Sequence, residues 1–160
     1  MSINVGDKIP EATFTRMGPE GPAPITTADV FGKKKVVLFS VPGAFTPTCS
    51  KKHLPGYVKE ADAIKSKGVD TIACMAVNDV FVLDAWGKAA GAGDKVLMLA
   101  DGNAEFTKKL GLEMDATKYG MGLRSKRFSM IVVDGVVKEL NVEAPGEFNV
   151  SSAEATACQL

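Results

Sequence analysis

The chain has 160 residues, 46% of them apolar and 24% charged, with 19 basic side chains balancing 19 acidic ones. A chain of this length buries roughly two-thirds of the surface its unfolded form exposes, so one core suffices without disulfides. Balanced charge gives no field to hold a polyanion, which excludes nucleic acid as the main partner. The sequence also lacks the run of about 18 apolar residues that a membrane span requires.

In chain order, Lys35–Ser40 is a short β-branched and apolar run that stops at Pro42-Gly43, as a buried strand does before a loop. From Ser50 to Lys67 the apolar positions Leu54, Tyr57, Val58, Ala61 and Ile64 recur at three- and four-residue steps, which predicts a helix ending at Gly68. Asp70–Val77 is apolar on both alternating faces and reads as an interior parallel strand. Asn78 and Asp79 are cap candidates for a helix over Val80–Ala90 with Phe81, Leu83, Ala85 and Trp86 as its packing residues.

A strand is expected over Lys95–Ala100 and a short helix over Ala104–Leu110. Arg127–Val133 then pairs with Val136–Asn141 across Asp134-Gly135, a two-residue hairpin signal. Ser151 or Ser152 caps a closing helix with Glu154 in its first turn. Strands alternating with helices, then a hairpin and a last helix, describe an α/β fold of the thioredoxin-like kind, with a mixed central sheet flanked by helices. One domain over residues 1–160 is expected, with no repeat or linker.

The three cysteines (Cys49, Cys74, Cys158) and single histidine (His53) lack the spacing of a metal site. No metal, flavin or nucleotide motif is present, so no cofactor is expected. Cys49 sits between a strand end and a helix start, where α/β sheets place ligands. A thiol with an ordinary pKa is only a few per cent thiolate at neutral pH. Bringing one down to about 6 requires roughly 3.4 kcal/mol, whereas a helix end supplies ~0.3–1 and at best ~2 kcal/mol. A nearby cation is therefore required. Complete ionisation raises the reactive fraction only about thirtyfold, so fast chemistry also needs donors for the substrate and the departing group.

Pro42, Thr46 and Cys49 fill the Pro-x-x-x-Thr-x-x-Cys pattern, and the chain around them resembles the type II peroxiredoxins. Val41–Tyr57, Val77-Asn-Asp-x-Phe-Val, Arg127-Phe-Ser-Met and Leu140-Asn-Val-Glu143 carry the resemblance over essentially the whole chain. It implies a thiol peroxidase that reduces hydrogen peroxide and alkyl hydroperoxides through a sulfenic acid on Cys49. In that scheme Thr46 contacts peroxide and thiolate, Arg127 is the polarising cation, and Pro42 shields the sulfur. The Thr48–Cys49 backbone N–H groups can hold a peroxide oxygen as helix ends hold anions. The reductant would be glutaredoxin with glutathione, or thioredoxin, and the assembly a homodimer.

Several residues have competing readings. Arg124, three residues before Arg127, is an alternative source of the cation. His53, one turn past Cys49, invites a Cys–His pairing, but an arginine-activated thiolate needs no base and the resemblance treats this histidine as structural. Cys74 is either an inert core thiol or the resolving thiol that plant-type members carry at this place, reached only after local opening. The loop after Asn-Val-Glu holds no cysteine, and Cys158 lies near the chain end. A C-x-x-C oxidoreductase is disfavoured by Thr46-Pro47-Thr48-Cys49, while a redox sensor or holdase built on Cys49 is the non-enzymatic alternative. MSINVGDKIPEATF lacks a secretory pattern, so an intracellular, most simply cytoplasmic setting is expected; Cys158-Gln159-Leu160 is a faint match to a peroxisomal tripeptide.

Overall fold

The computed structural model describes residues 2–160. It begins with a hairpin that apolar periodicity does not signal, β1 (Thr13–Gly18) and β2 (Gly21–Thr26). Pro22 and Pro24 mask β2 as a strand, and they are tolerated because β2 is the outermost strand of the sheet. Thr26 and Asp29 then form a reciprocal capping box on α1 (Thr27–Phe31).

The predicted core elements follow: β3 (Lys35–Val41), α2 (Leu54–Ser66), β4 (Thr71–Ala76), α3 (Val80–Ala89), β5 (Leu97–Ala100) and α4 (Glu105–Leu110). A small excursion of β6 (Glu113–Asp115) and β7 (Leu123–Ser125) pairs only with itself. The chain then returns through β8 (Phe128–Val133), β9 (Val136–Val142) and α5 (Ala153–Ala157). The seven-stranded sheet has the order β2-β1-β5-β4-β3-β8-β9, parallel between β3, β4 and β5 and antiparallel elsewhere. This is the mixed sheet of a thioredoxin-like α/β fold. At the β8–β9 turn, Asp134 (φ 46°) and Gly135 (φ 76°) both take the left-handed conformation that the Asp-Gly signal requires.

Alternation along the strands divides the core into two layers. Val37, Phe39 and Val41 of β3, Ile72, Cys74 and Ala76 of β4, and Ile131 of β8 face the layer of α2 and α3. Val36, Leu38, Ala73, Met75, Phe128, Met130 and Val132 face the opposite layer with Phe14, Phe31 and Phe106. Arg127, two and four residues before Ser129 and Ile131, therefore starts on the α2 face of β8. A register slip of one residue would send it to the other side of the sheet.

Three sequence expectations are corrected. The helix expected from Ser50 starts earlier, at Pro47, which suits a first helical position because its missing N–H is not needed there. Cys49–His53 then forms a π-helical turn before α2. The wider turn coincides with Pro55, which has no N–H for the Lys51 carbonyl and whose ring crowds it. Phe81 and Ala85 do not pack: Val80, Leu83, Trp86 and Gly87 are the buried row of α3, whereas Phe81 is 64% exposed on another face. Asp79 alone caps α3, through the Val82 N–H, and Asn78 has a different use.

Candidate active site

The loop between β3 and the helix carries Pro42, Thr46 and Cys49 and is shaped by three local features. The Asn78 side-chain oxygen accepts the Ala44 N–H at 2.9 Å, tying the loop to the end of β4. Phe45 sits at φ 63°, a conformation that a bulky side chain adopts only under constraint and that clusters at functional loops. Trp86 donates its indole N–H to Ser50 Oγ at 3.0 Å, anchoring the first helical turn beside Cys49.

Cys49 is buried in this turn, with no exposed surface. The first main-chain bond of the helix runs from the Ser50 N–H to the Thr46 carbonyl at 2.9 Å, so the Thr48 and Cys49 N–H groups precede the hydrogen-bond ladder. Thr46 gives its hydroxyl proton to the Gly43 carbonyl at 2.7 Å, which leaves its oxygen free only as an acceptor.

Arg127 reaches this loop from the start of β8, 78 residues away in sequence. Its Nη2 donates to Cys49 Sγ at 3.0 Å and its Nη1 donates to His53 Nδ1 at 2.9 Å. The other imidazole nitrogen, Nε2, lies 3.0 Å from the Ser151 carbonyl and must donate, because a carbonyl only accepts. His53 is therefore the neutral Nε2–H tautomer. Burial, reinforced by the Arg127 charge, lowers its pKa from 6.5 to about 3. Arg127 also lies over the Phe148 ring, 5.9 Å from its centroid, and Phe148 meets His53 edge-on at 5.0 Å.

A second layer of bonds supports this row. The Glu143 carboxylate accepts from the N–H groups of Asn149, Val150 and Ser151 and from the Ser151 hydroxyl, fixing the loop whose carbonyl holds His53. Burial alone would raise the Glu143 pKa, but these hydrogen bonds outweigh it and hold the carboxyl below its ordinary value. Tyr57 donates to the same Ser151 carbonyl at 2.8 Å. Its ring stacks on Phe39 with centroids 3.9 Å apart. Asn78, Ser151 and Glu143 were not legible as site residues, because single polar side chains in loops carry no spacing signal.

The remaining candidates separate by position. Arg124 does not face the sulfur: its Nε donates to the Met121 carbonyl at 2.9 Å and its Nη1 to the Pro42 carbonyl at 3.3 Å. Cys74 is fully buried in β4 on the same face as Cys49, and burial, with the Cys49 charge, pushes its thiol well above the ordinary range. Cys158 is exposed and all three thiols are free. Beside Arg127 opens a cavity of about 600 Å³, lined by Pro42, Thr46 and Pro47 of the catalytic loop, by Met114, Tyr119 and Met121, and by the segment from Glu143 to Glu147. Among the described residues no helix is long and apolar enough to cross a membrane.

A buried thiol facing a guanidinium, at the mouth of a helix on a mixed thioredoxin-like sheet, places the chain among cysteine-based redox proteins. Residues 4–156 match the Redoxin family. Peroxiredoxin-2E, chloroplastic, of Arabidopsis thaliana is 50% identical over 157 residues, covering 96% of this chain and 67% of the relative. Peroxiredoxin-2B of the same plant is 48% identical over 155 residues, covering 95% and 94%. The crystal structure of reduced Prx3 from Vibrio vulnificus in complex with H2O2 superposes with a TM-score of 0.95 at 54% identity, covering 98% of both chains. The chain belongs to the type II peroxiredoxins and is a thiol peroxidase.

Proposed function

We propose that Cys49 is the peroxidatic nucleophile and that Arg127, Thr46, Pro42 and the Thr48–Cys49 N–H groups serve it, within one peroxiredoxin domain spanning residues 1–160. The observation that carries this reading is the 3.0 Å contact between Arg127 Nη2 and the buried Cys49 Sγ. A guanidinium at that distance donates to the sulfur and is the cation that the helix end alone cannot replace. The thiolate attacks the terminal oxygen of the hydroperoxide. A sulfur–oxygen bond forms as the O–O bond breaks, sulfur loses two electrons, and the departing hydroxide or alkoxide takes up, through solvent, the proton that the Cys49 thiol released on ionising and leaves as water or an alcohol.

Each neighbour has a physical task in that step. Thr46, its own proton committed to Gly43, accepts the peroxide O–H and orients the O–O bond. Arg127 and the free N–H groups of the helix start stabilise charge as it moves onto the departing oxygen. Pro42 covers the sulfur from bulk water. The methionine and tyrosine lining of the cavity suits the organic part of an alkyl hydroperoxide.

The Cys49 sulfenic acid is then returned to the thiol by an external dithiol or thiol, glutathione with glutaredoxin or thioredoxin, releasing water and a disulfide. Three free thiols suit a reducing intracellular compartment such as the cytoplasm. A second reading, with Cys74 as internal resolving thiol, is favoured by its place in the same buried cluster as Cys49. It requires the helical turn at Cys49 to open. We also place a homodimer in this reading, because Phe45 and Phe81 are 55% and 64% exposed on one chain. Sedimentation at micromolar concentration should give twice the chain mass, and a monomer would refute that part.

The test of the central assignment is peroxide consumption by Cys49→Ser in the presence of a thiol reductant. The variant should be inactive. Wild-type turnover by it would remove Cys49 from the reaction.

A further inference from the structure

We propose that Arg124 is a positioning residue that sets specificity for organic hydroperoxides, by clipping together two of the walls of the cavity beside Arg127. The proposal rests on the peroxidase reading of that site. Pro42 and Thr46 form one wall of the cavity, at the end of β3 and in the loop that follows. A second part of the lining, with Met114, Tyr119 and Met121, belongs to the β6–β7 excursion, which pairs with no strand of the main sheet, and the segment from Glu143 to Glu147 supplies a third. Two walls from separate units need a fastening to keep their spacing.

Arg124 supplies it through main-chain carbonyls. Its Nε donates to Met121 on the excursion at 2.9 Å and its Nη1 donates to Pro42 on the catalytic loop at 3.3 Å. The ion pairs among the described residues are Lys88–Asp84 and Lys109–Glu105, so no carboxylate competes for this guanidinium. Gly43 leaves the space it occupies: a Cβ there would stand 2.9 Å from Arg124 Nη1 and 3.3 Å from Met121 Cε. One bare backbone position thus receives both the fastener and the wall residue it fastens. Just below, the buried Ser40 and Ser125 hydroxyls are bonded at 2.8 Å, so the strand that carries Arg124 is already joined to β3 at its base. Arg124 makes the corresponding join at the rim.

The consequence is selective. Hydrogen peroxide has no organic part and needs only Thr46, Arg127 and the helix-start N–H groups. An alkyl hydroperoxide must also be gripped between the walls, and its reaction falls when their spacing is lost.

The experiment compares the second-order rate constants for Cys49 oxidation by cumene hydroperoxide and by H2O2, read by quenched-flow mass spectrometry. Arg124→Met keeps the apolar stem and loses both donors. It should lower the cumene hydroperoxide constant about tenfold and leave the H2O2 constant within about twofold, with the pH profile of Cys49 alkylation by iodoacetamide unmoved. Arg124→Lys, whose single ammonium cannot span both carbonyls, should fall between and carries the comparison if Arg124→Met does not fold. Equal losses with both peroxides, a shifted alkylation profile, or no loss with cumene hydroperoxide would each overturn the proposal. Retained turnover by Cys49→Ser would instead overturn the site assignment beneath it.

Discussion

Arg127 Nη2 stands 3.0 Å from Cys49 Sγ, and Nη1 of the same guanidinium stands 2.9 Å from His53 Nδ1. The planar fork spans a sulfur and an imidazole nitrogen at once, which a single ammonium cannot do. Arg127→Met should lower the rate constant for peroxide by about 10²- to 10³-fold, and Arg127→Lys should recover only a minor part of it. Stopped-flow oxidation of the reduced variants checks this. A lysine variant with wild-type speed would mean that charge alone suffices.

The tautomer of His53 gives a prediction in pH. Its folded-state pKa is about 3 against an ordinary 6.5, so as pH falls the unfolded chain binds this proton first. The stability contribution is fully present above pH 6.5 and is lost progressively as pH falls toward 3. Each pH unit costs about 1.4 kcal/mol while only the unfolded state is protonated. Glu143, whose pKa is also held below its ordinary value, adds loss of the same sign, but only within the carboxylate range. Between about pH 5 and 6.5 the slope of urea stability should therefore flatten in His53→Gln. Nitrogen NMR should show one protonated imidazole nitrogen across that window, and an imidazolium signal would contradict the network.

Thr46 separates shape from hydrogen bonding. Thr46→Val keeps the branched side chain but removes the oxygen that is bonded to Gly43 at 2.7 Å. It should reduce the peroxide rate constant about 10²-fold, whereas Thr46→Ser should retain most of it. A fully active valine variant would restrict Thr46 to a loop-shaping role.

Cys74 contributes packing at the centre of the sheet. It is fully buried between β3 and β5, opposite Phe39 and Met98. Cys74→Ser places a hydroxyl in apolar surroundings and should cost about 1–3 kcal/mol; Cys74→Ala should cost less. Urea denaturation distinguishes them. The alanine variant is thus the cleaner probe of recycling: unchanged turnover with glutathione and glutaredoxin favours an external thiol, and a matching loss favours Cys74 as resolver.

The central layers of this fold were legible because β3, β4, α2 and the β8–β9 hairpin carry strong periodicity and an Asp-Gly turn. The β1–β2 hairpin was not, since Pro22 and Pro24 break the strand pattern and only the edge position of β2 makes them harmless. Phe81 misled the reading of α3, because a large apolar side chain on a single chain need not belong to its buried row. Within the site, Cys49, Thr46 and Pro42 lie close together in sequence and identified each other. Choosing Arg127 over Arg124 required the resemblance, and the strand parity that explains the choice depends on the β8 register. Glu143 entered the reading only as part of a motif. Its work on the loop from Asn149 to Ser151 is tertiary, and no local pattern announces it.

The most direct test of the account is to treat the reduced protein with one equivalent of H2O2, trap sulfenic acid with dimedone, and map the cysteine peptides by mass spectrometry. The account predicts the adduct on Cys49, with its yield falling sharply in Arg127→Met at matched reaction time. An adduct confined to Cys74 or Cys158, with Cys49 unmodified, would contradict it.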